Sequence, residues 1–230
     1  MTTYVLVHGG FVGGWDWADF ARLLRVGDND AYAPTLTGLG ERVHLGSAAT
    51  NLSTHIQDIV NVIEYEDLHD IVLTGHSYAG MVITGVADRI PERIAHLVFI
   101  DAMMPSDGQS EEDFTENTVK TRMSVENGLV LMSPPPHLNA VDAQRWTRQA
   151  LPSFEEKLHL SLPLEERPFT RTFVHATEKP ANAPMNMGEY ARAVARVKAS
   201  PHWRTFELPC GHAIHHEMPK ELAQILLQLA

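Results

Sequence analysis

The sequence predicts an α/β chain: one domain with a mostly parallel sheet, helices on both faces and an inserted lid. Three observations predict it. Short apolar, β-branched runs alternate with amphipathic helical stretches along the chain. A glycine-rich turn, His8–Gly14, follows the first of those runs directly. From about Met103 to Pro168 the alternation lapses, and acidic clusters, Ser133-Pro-Pro-Pro136 and scattered helical pieces replace any clear strand.

Each element can be justified in order. Tyr4-Val-Leu-Val7 reads as a short buried strand, and Trp15–Val26 as a helix with Trp17, Phe20, Leu23 and Leu24 at helical spacing. A short strand near Ala31-Tyr-Ala33 leads through Pro34 into the loop Thr35–Arg42. Ser53 or Thr54 is suited to cap the next helix, whose Ile56, Ile59, Val60 and Ile63 share one face. Ile71–Thr74 is a strand and a helix follows Ser77, after which Ile94–Ile100 returns to the sheet. Arg171–Ala176 and Arg204–Leu208 read as the last two strands, and Lys220–Leu229 as a closing helix. An insertion between strands of such a sheet, here 103–168 within a single domain of 1–230, reads as a cap over their carboxyl ends, where ligands bind in this architecture.

Composition narrows the function classes. The 230 residues suffice for one well-filled core, and 44% hydrophobic with 20% charged residues is a globular balance. A formal net charge of −11 with no Lys/Arg run argues against nucleic-acid and anionic-membrane partners. The lone Cys210 rules out an internal disulfide and fits a reducing compartment. Met1-Thr-Thr-Tyr leads straight into a strand with neither a basic nor a cleavable apolar segment, so the expectation is a soluble cytoplasmic protein. The oligomeric state is not legible.

The stretch Leu73-Thr-Gly-His-Ser-Tyr-Ala-Gly-Met-Val82 puts a serine between an apolar strand and a helix. A nucleophile held on such a sharp turn needs small residues two before and two after it, which Gly75 and Ala79 supply. Ala79 departs from the Gly-x-Ser-x-Gly pattern, and a serine that merely caps a helix is the alternative. A triad requires a later histidine. His212, in Cys210-Gly-His-Ala-Ile-His-His216, falls between the last strand and the last helix, on the same sheet edge as Ser77. It is placed to act as general base. His215 and His216 read as structural or as lining the pocket entrance. No carboxylate or cysteine completes a metal-ligand spacing with these histidines, so no metal is expected. Developing negative charge on a carbonyl oxygen needs backbone donors, and the amides of Gly10, in His8-Gly9-Gly10, and of Tyr78 are positioned to supply them.

Five segments together, VLVHGGFVGGWDWADF, APTLTGLGERVH, LSTHIQDIVNVI, GHSYAGMVI and LVFIDAMMP, resemble the α/β-hydrolase superfamily. They are most similar to the branch of EstC-like bacterial esterases, plant methyl-salicylate-type esterases and plant hydroxynitrile lyases. The resemblance implies an α/β-hydrolase fold, Ser77 as nucleophile, His212 as base, and the Gly10 and Tyr78 amides as oxyanion donors. The plant esterases resemble Thr-Glu-Asp-Lys after the penultimate strand, with the aspartate as triad acid. Here that segment is Thr177-Glu178-Lys179-Pro180. The acid is therefore expected at Asp101, at the end of the strand after the nucleophile's helix, where some haloalkane dehalogenases carry theirs. Glu178 is the alternate.

These features imply hydrolysis of a small-to-medium hydrophobic carboxylic ester through an acyl-enzyme. A carbamate or amide would follow the same route. The lyases resemble His-Thr at His8-Gly9 and a lysine where Ala213 stands, so both of their features are missing. A hydrolase-fold receptor is a third class. Phe11, Trp15, Tyr78, Met103 and Met104 are expected to line the substrate pocket. No cofactor is implied, because His8–Gly14 lacks both the Lys-Ser/Thr ending of a phosphate loop and the spaced dinucleotide glycines.

Overall fold

The computed structural model describes residues 1–115, 123–135, 138–179 and 188–229. Pro136, Pro180 and positions 116–122 of the expected lid lie outside the described residues. Six parallel strands form the main sheet: β1 (Thr3–Val7), β2 (Asp30–Tyr32), β3 (Ile71–His76), β4 (Ile94–Ile100), β8 (Thr170–Ala176) and β9 (Arg204–Leu208). Their order is β2-β1-β3-β4-β8-β9, so the chain leaves β1 in one direction and resumes on its other side at β3. That reversal opens a crevice at the carboxyl ends of β1 and β3, the place where this architecture receives ligands.

The alternation of side chains along each strand divides the core into two layers. Val5, Val7, Leu73, Phe99 and Phe173 face α2 (Leu52–Tyr65), α3 (Ala79–Arg89) and a helix over Gly188–Ala199. Tyr4, Leu6, Val72, Val98 and Val174 face α1 (Ala18–Leu24) and the last helix, Pro219–Leu227. Both faces are thus covered, which is why these strands read as continuous apolar runs.

Three local expectations need correction. Neither Ser53 nor Thr54 is the N-cap of α2. Asn51 is, because Leu52 joins the buried face and starts the helix earlier. Its Oδ1 accepts from the Thr54 amide at 3.0 Å, and Thr54 Oγ1 accepts from the Asn51 amide at 3.5 Å. Ser53 instead donates its amide and hydroxyl to Glu156, both at 2.7 Å. The segment 103–168 does contain strands: β5 (Ser124–Glu126), β6 (Leu129–Leu131) and β7 (Gln149–Ala150) make a small antiparallel sheet. A hairpin at Asn127-Gly128, with φ of 53° and 75°, joins β5 to β6, and strands of two or three residues are too short to show a period. The same segment carries the short helices α4 (Glu111–Thr115), α5 (Ala140–Gln144) and α6 (Pro152–Glu155). Finally, Gly188–Ala199 (α7) was not anticipated. Its buried Tyr190, Ala193, Val194 and Val197 follow the helical period, but the charged Glu189, Arg192, Arg196 and Lys198 dilute the pattern. Two helices close the chain, α8 (Ile214–Glu217) and α9 (Pro219–Leu227).

Candidate active site

Four strand ends converge on the crevice: His8-Gly9-Gly10 after β1, Ser77 after β3, Asp101 after β4, and the loop 209–213 after β9. Three residues there hold left-handed backbone conformations without being glycine: Phe11 (φ 66°), Ser77 (φ 56°) and Asp101 (φ 41°). Strain of this kind persists only where surrounding structure holds it in place. Around Ser77 the hold is visible. Its carbonyl accepts from the amides of Gly80 and Met103, both at 3.1 Å, and its amide donates to Ile100 O at 3.4 Å. A Cβ on Gly75 would lie 2.9 Å from Ala79 O, so the elbow closes only because Gly75 has none.

His212 donates from Nδ1 to Asp101 Oδ2 at 2.6 Å. Asp101 is fully buried, and its carboxylate is satisfied from several sides. Lys179 Nζ donates to Oδ1 and Oδ2 at 2.6 and 2.9 Å, the Tyr190 hydroxyl to Oδ1 at 2.8 Å, and the Ala176 amide to Oδ1 at 3.3 Å. Burial alone would raise the Asp101 carboxyl, but the bond to His212 and the charge of Lys179 outweigh it and hold it well below the usual carboxylate range. Glu178, the alternate acid, is exposed; its backbone amide meets Cys210 O at 2.9 Å. The structure therefore brings His212 to Asp101 and leaves Glu178 at the surface.

The two amides expected to serve as oxyanion donors belong to residues of one cavity, since Gly10 and Tyr78 both line it. The neighbouring Phe11 amide is occupied, donating to Gln149 Oε1 at 3.2 Å. Two buried imidazoles fix this corner. His8 donates from Nδ1 to Gly9 O at 2.7 Å and accepts from the Leu36 amide at Nε2, while Tyr78 OH meets His55 Nδ1 at 2.7 Å. Gly9, which stands where lyases of the resembled branch carry threonine, has little room. An added Cβ would come within 3.3 Å of Ser77 Cβ.

The cavity encloses about 260 Å³ and is lined by Ser77 and His212 together with Phe11, Met103, Met123, Met132, Trp146 and Leu138. Phe11 stacks on Trp146 with ring centroids 5.5 Å apart, forming a flat apolar wall. Two expected lining residues lie elsewhere. Trp15 sits under the Arg145 guanidinium, and Met104 lines a second hollow with Arg196 and Trp203.

A family model described as the alpha/beta hydrolase family matches residues 4–225. A carbendazim hydrolyzing esterase from Nocardioides sp. (strain SG-4G) is 34% identical over 251 aligned positions, covering all of both chains. This chain belongs to the alpha/beta hydrolase family. It is an ester-cleaving enzyme of that fold. A putative chloroplastic methylesterase 13 of Arabidopsis thaliana is 25% identical over 247 positions, covering 99% of this hydrolase but 56% of the plant protein. In structure it is similar to an extracellular alpha/beta-hydrolase from a Paenibacillus species, described as sharing homology with tobacco salicylic acid binding protein 2. The TM-score is 0.79 at 24% identity, over 100% of this chain and 99% of the other. No helix among the described residues is long and apolar enough to cross a membrane.

Several residues of this hydrolase that organise the crevice escaped sequence reading. Asp16 accepts from His215 Nε2 at 2.9 Å and from His216 Nε2 at 2.8 Å, across about two hundred residues of sequence. Burial would raise its carboxyl; the two histidines hold it far below the ordinary range. Asp16 also supplies the carboxylate that sequence spacing lacked, for one ligand atom each from Asp16, His76 and His215 lie within 4.8 Å of one another. These residues are already engaged in part: His215 donates to Asp16, and His76 Nε2 donates to the His212 carbonyl at 2.9 Å and so positions the histidine loop. Lys179 and Tyr190, on Asp101, were likewise invisible. Only His76, lying between Gly75 and Ser77, carried a sequence signal by its place in the elbow.

Proposed function

We propose that this hydrolase cleaves small-to-medium hydrophobic carboxylic esters through an acyl-enzyme formed on Ser77. The observation that carries the reading is the 2.6 Å contact from His212 Nδ1 to a buried, ionised Asp101, with His212 and Ser77 facing one apolar cavity. In that reading Ser77 Oγ attacks the ester carbonyl while His212 Nε2 takes its proton. The amides of Gly10 and Tyr78 hold the oxyanion of the tetrahedral intermediate. His212 then returns the proton to the departing alkoxide, which leaves as an alcohol. Water, deprotonated by the same imidazole, attacks the acyl-Ser77 ester; the imidazolium protonates the departing Ser77 Oγ and the carboxylic acid is released. Asp101 keeps the Nδ1–H tautomer and stabilises the imidazolium formed in each step. Segment 103–168 serves as the lid, since it supplies Met123, Met132 and Trp146 to the cavity.

Carbamate cleavage by the same steps is the second reading. It is favoured by full-length similarity to an esterase that hydrolyses carbendazim. A reducing, cytoplasmic setting fits the lone, buried Cys210, whose thiol burial pushes up to about 11. The test is hydrolysis of 2-naphthyl acetate with no metal or nucleotide added. Ser77→Ala and His212→Ala should each lose at least about a thousandfold in kcat with the fold intact by circular dichroism, and a fluorophosphonate should label Ser77. Full activity in Ser77→Ala would end this reading.

A further inference from the structure

Glu111 is the feature of the cavity that acyl transfer does not use. It opens the short helix α4 and lines the same cavity as Ser77, among Phe11, Met103, Met123 and Met132. It is 6% exposed, and its Oε2 has no hydrogen-bond partner among the described residues. Burial, helped by the charge of Glu112, pushes its carboxyl well above the usual range. A carboxyl kept neutral by its surroundings is a hydrogen-bond donor as well as an acceptor.

We infer that Glu111 reads the polar edge of the substrate, selecting aromatic esters that present an N–H beside an acceptor on one side, as a cyclic lactam or a 2-aminoazole does. The inference rests on the esterase reading and names its substrate class. A carboxylic acid offers one O–H and one C=O side by side, and a syn N–H/acceptor edge matches both at once. Oε2 stands buried without a partner among the described residues, so a substrate that pairs with this carboxyl is favoured over one of equal shape that leaves it unpaired. A site built to pair with a polar group discriminates far better than one that merely fits a shape. Phe11 stacked on Trp146 supplies the flat wall such a bicyclic ring requires. About 260 Å³ accommodates a ring system of naphthalene size with a short acyl group.

The test compares 2-oxo-1,2-dihydroquinolin-6-yl acetate with its apolar isostere, 2-naphthyl acetate. The wild-type ratio of kcat/KM should favour the lactam, and Glu111→Leu should lower that ratio at least tenfold. Glu111→Gln, which keeps one donor and one acceptor in the same shape, should retain it. A ratio unchanged within threefold in Glu111→Leu overturns the inference. If the leucine variant does not fold, the ligand side decides. In wild-type protein the N-methyl lactam ester, lacking the donor, should lose tenfold, and equal turnover of the two lactams overturns the assignment. Binding of quinolin-2(1H)-one to Ser77→Ala protein, measured by calorimetry, separates the two readings. A tenfold weakening there by Glu111→Leu sustains Glu111 even if neither ester is turned over, in which case the esterase reading alone fails. Ser77-dependent hydrolysis of both esters with no effect of Glu111→Leu on binding or ratio removes Glu111 and leaves that reading standing.

Discussion

Replacing Asp101 by Asn preserves side-chain shape but removes the charge that faces His212 Nδ1 and Lys179 Nζ. An amide oriented to donate would turn the imidazole to the wrong tautomer, and one oriented to accept would no longer stabilise an imidazolium. Asp101→Asn should therefore lower kcat on 2-naphthyl acetate by about a thousandfold or more. Glu178→Gln should leave kcat within about twofold, because an exposed carboxylate away from the imidazole exerts only a screened effect. The reverse ranking would hand the role to Glu178. In the proposed reading, geometry lets the acid stand at this strand end. β4 and β8 are neighbours, Asp101 accepts from the Ala176 amide at the end of β8, and a carboxylate from either strand can reach the same point. Lys179, standing where the resembled plant esterases carry their aspartate, then becomes the countercharge to Asp101.

At the scale of elements, the contact that matters most is between α3 and the chain leaving β4. A Cβ on Gly80 would fall 1.9 Å from Met103 O and 2.8 Å from Met103 N, so helix and strand exit touch backbone to backbone. Gly80→Ala must push them apart, although alanine is the better helix former. The expected outcome is a loss of about 3 kcal/mol in denaturant unfolding, near the upper end for overpacking. A fall in kcat should accompany it, since Ser77 and Asp101 ride on the two elements. Wild-type stability would mean that α3 can slide without cost. The main strands were legible because each is a run of buried apolar residues with a helix after it, and Ser77 was legible because the elbow concentrates small residues around it. The Asn127-Gly128 hairpin carried its signal in two residues, too few to stand out against strands this short. The hydrogen bonds from Lys179 and Tyr190 to Asp101, and from His215 to Asp16, connect residues distant in sequence and obey no spacing. They become visible only once strand order is known.

At the scale of the whole molecule, four histidines among the described residues, His8, His55, His76 and His215, are buried with at most 7% exposure. Burial lowers the proton affinity of each, His55 to about 4 and His76 well below the ordinary value. All four regain an ordinary value near 6.5 on unfolding. As pH falls below about 6.5 the unfolded chain therefore binds protons that the folded chain refuses, and stability must fall. Each such group contributes at most about 1.4 kcal/mol per pH unit inside its window. His216 works the other way. Its bond to Asp16 raises its value, so its contribution is present below about 6.5 and fades as pH rises through the folded value. The buried Glu111, whose carboxyl is raised, likewise gains stability as pH falls, but one half-exposed imidazole and one carboxyl do not balance four buried imidazoles. Relief of net-charge repulsion near the sequence pI of about 5.6 also favours the folded state, but charges separated by more than about 10 Å are screened at ordinary ionic strength. Thermal unfolding should accordingly show Tm dropping steadily from pH 7 to 4.5, before Asp16 and Asp101, both held well below the ordinary range, begin to matter. His55→Gln should lower Tm at pH 7, through its lost bonds to Tyr78 and Thr37, yet decline less steeply per pH unit. A Tm that stays flat to pH 4.5, or a His55→Gln slope as steep as the parent's, would mean the buried imidazoles are not what sets the acid limit of this fold.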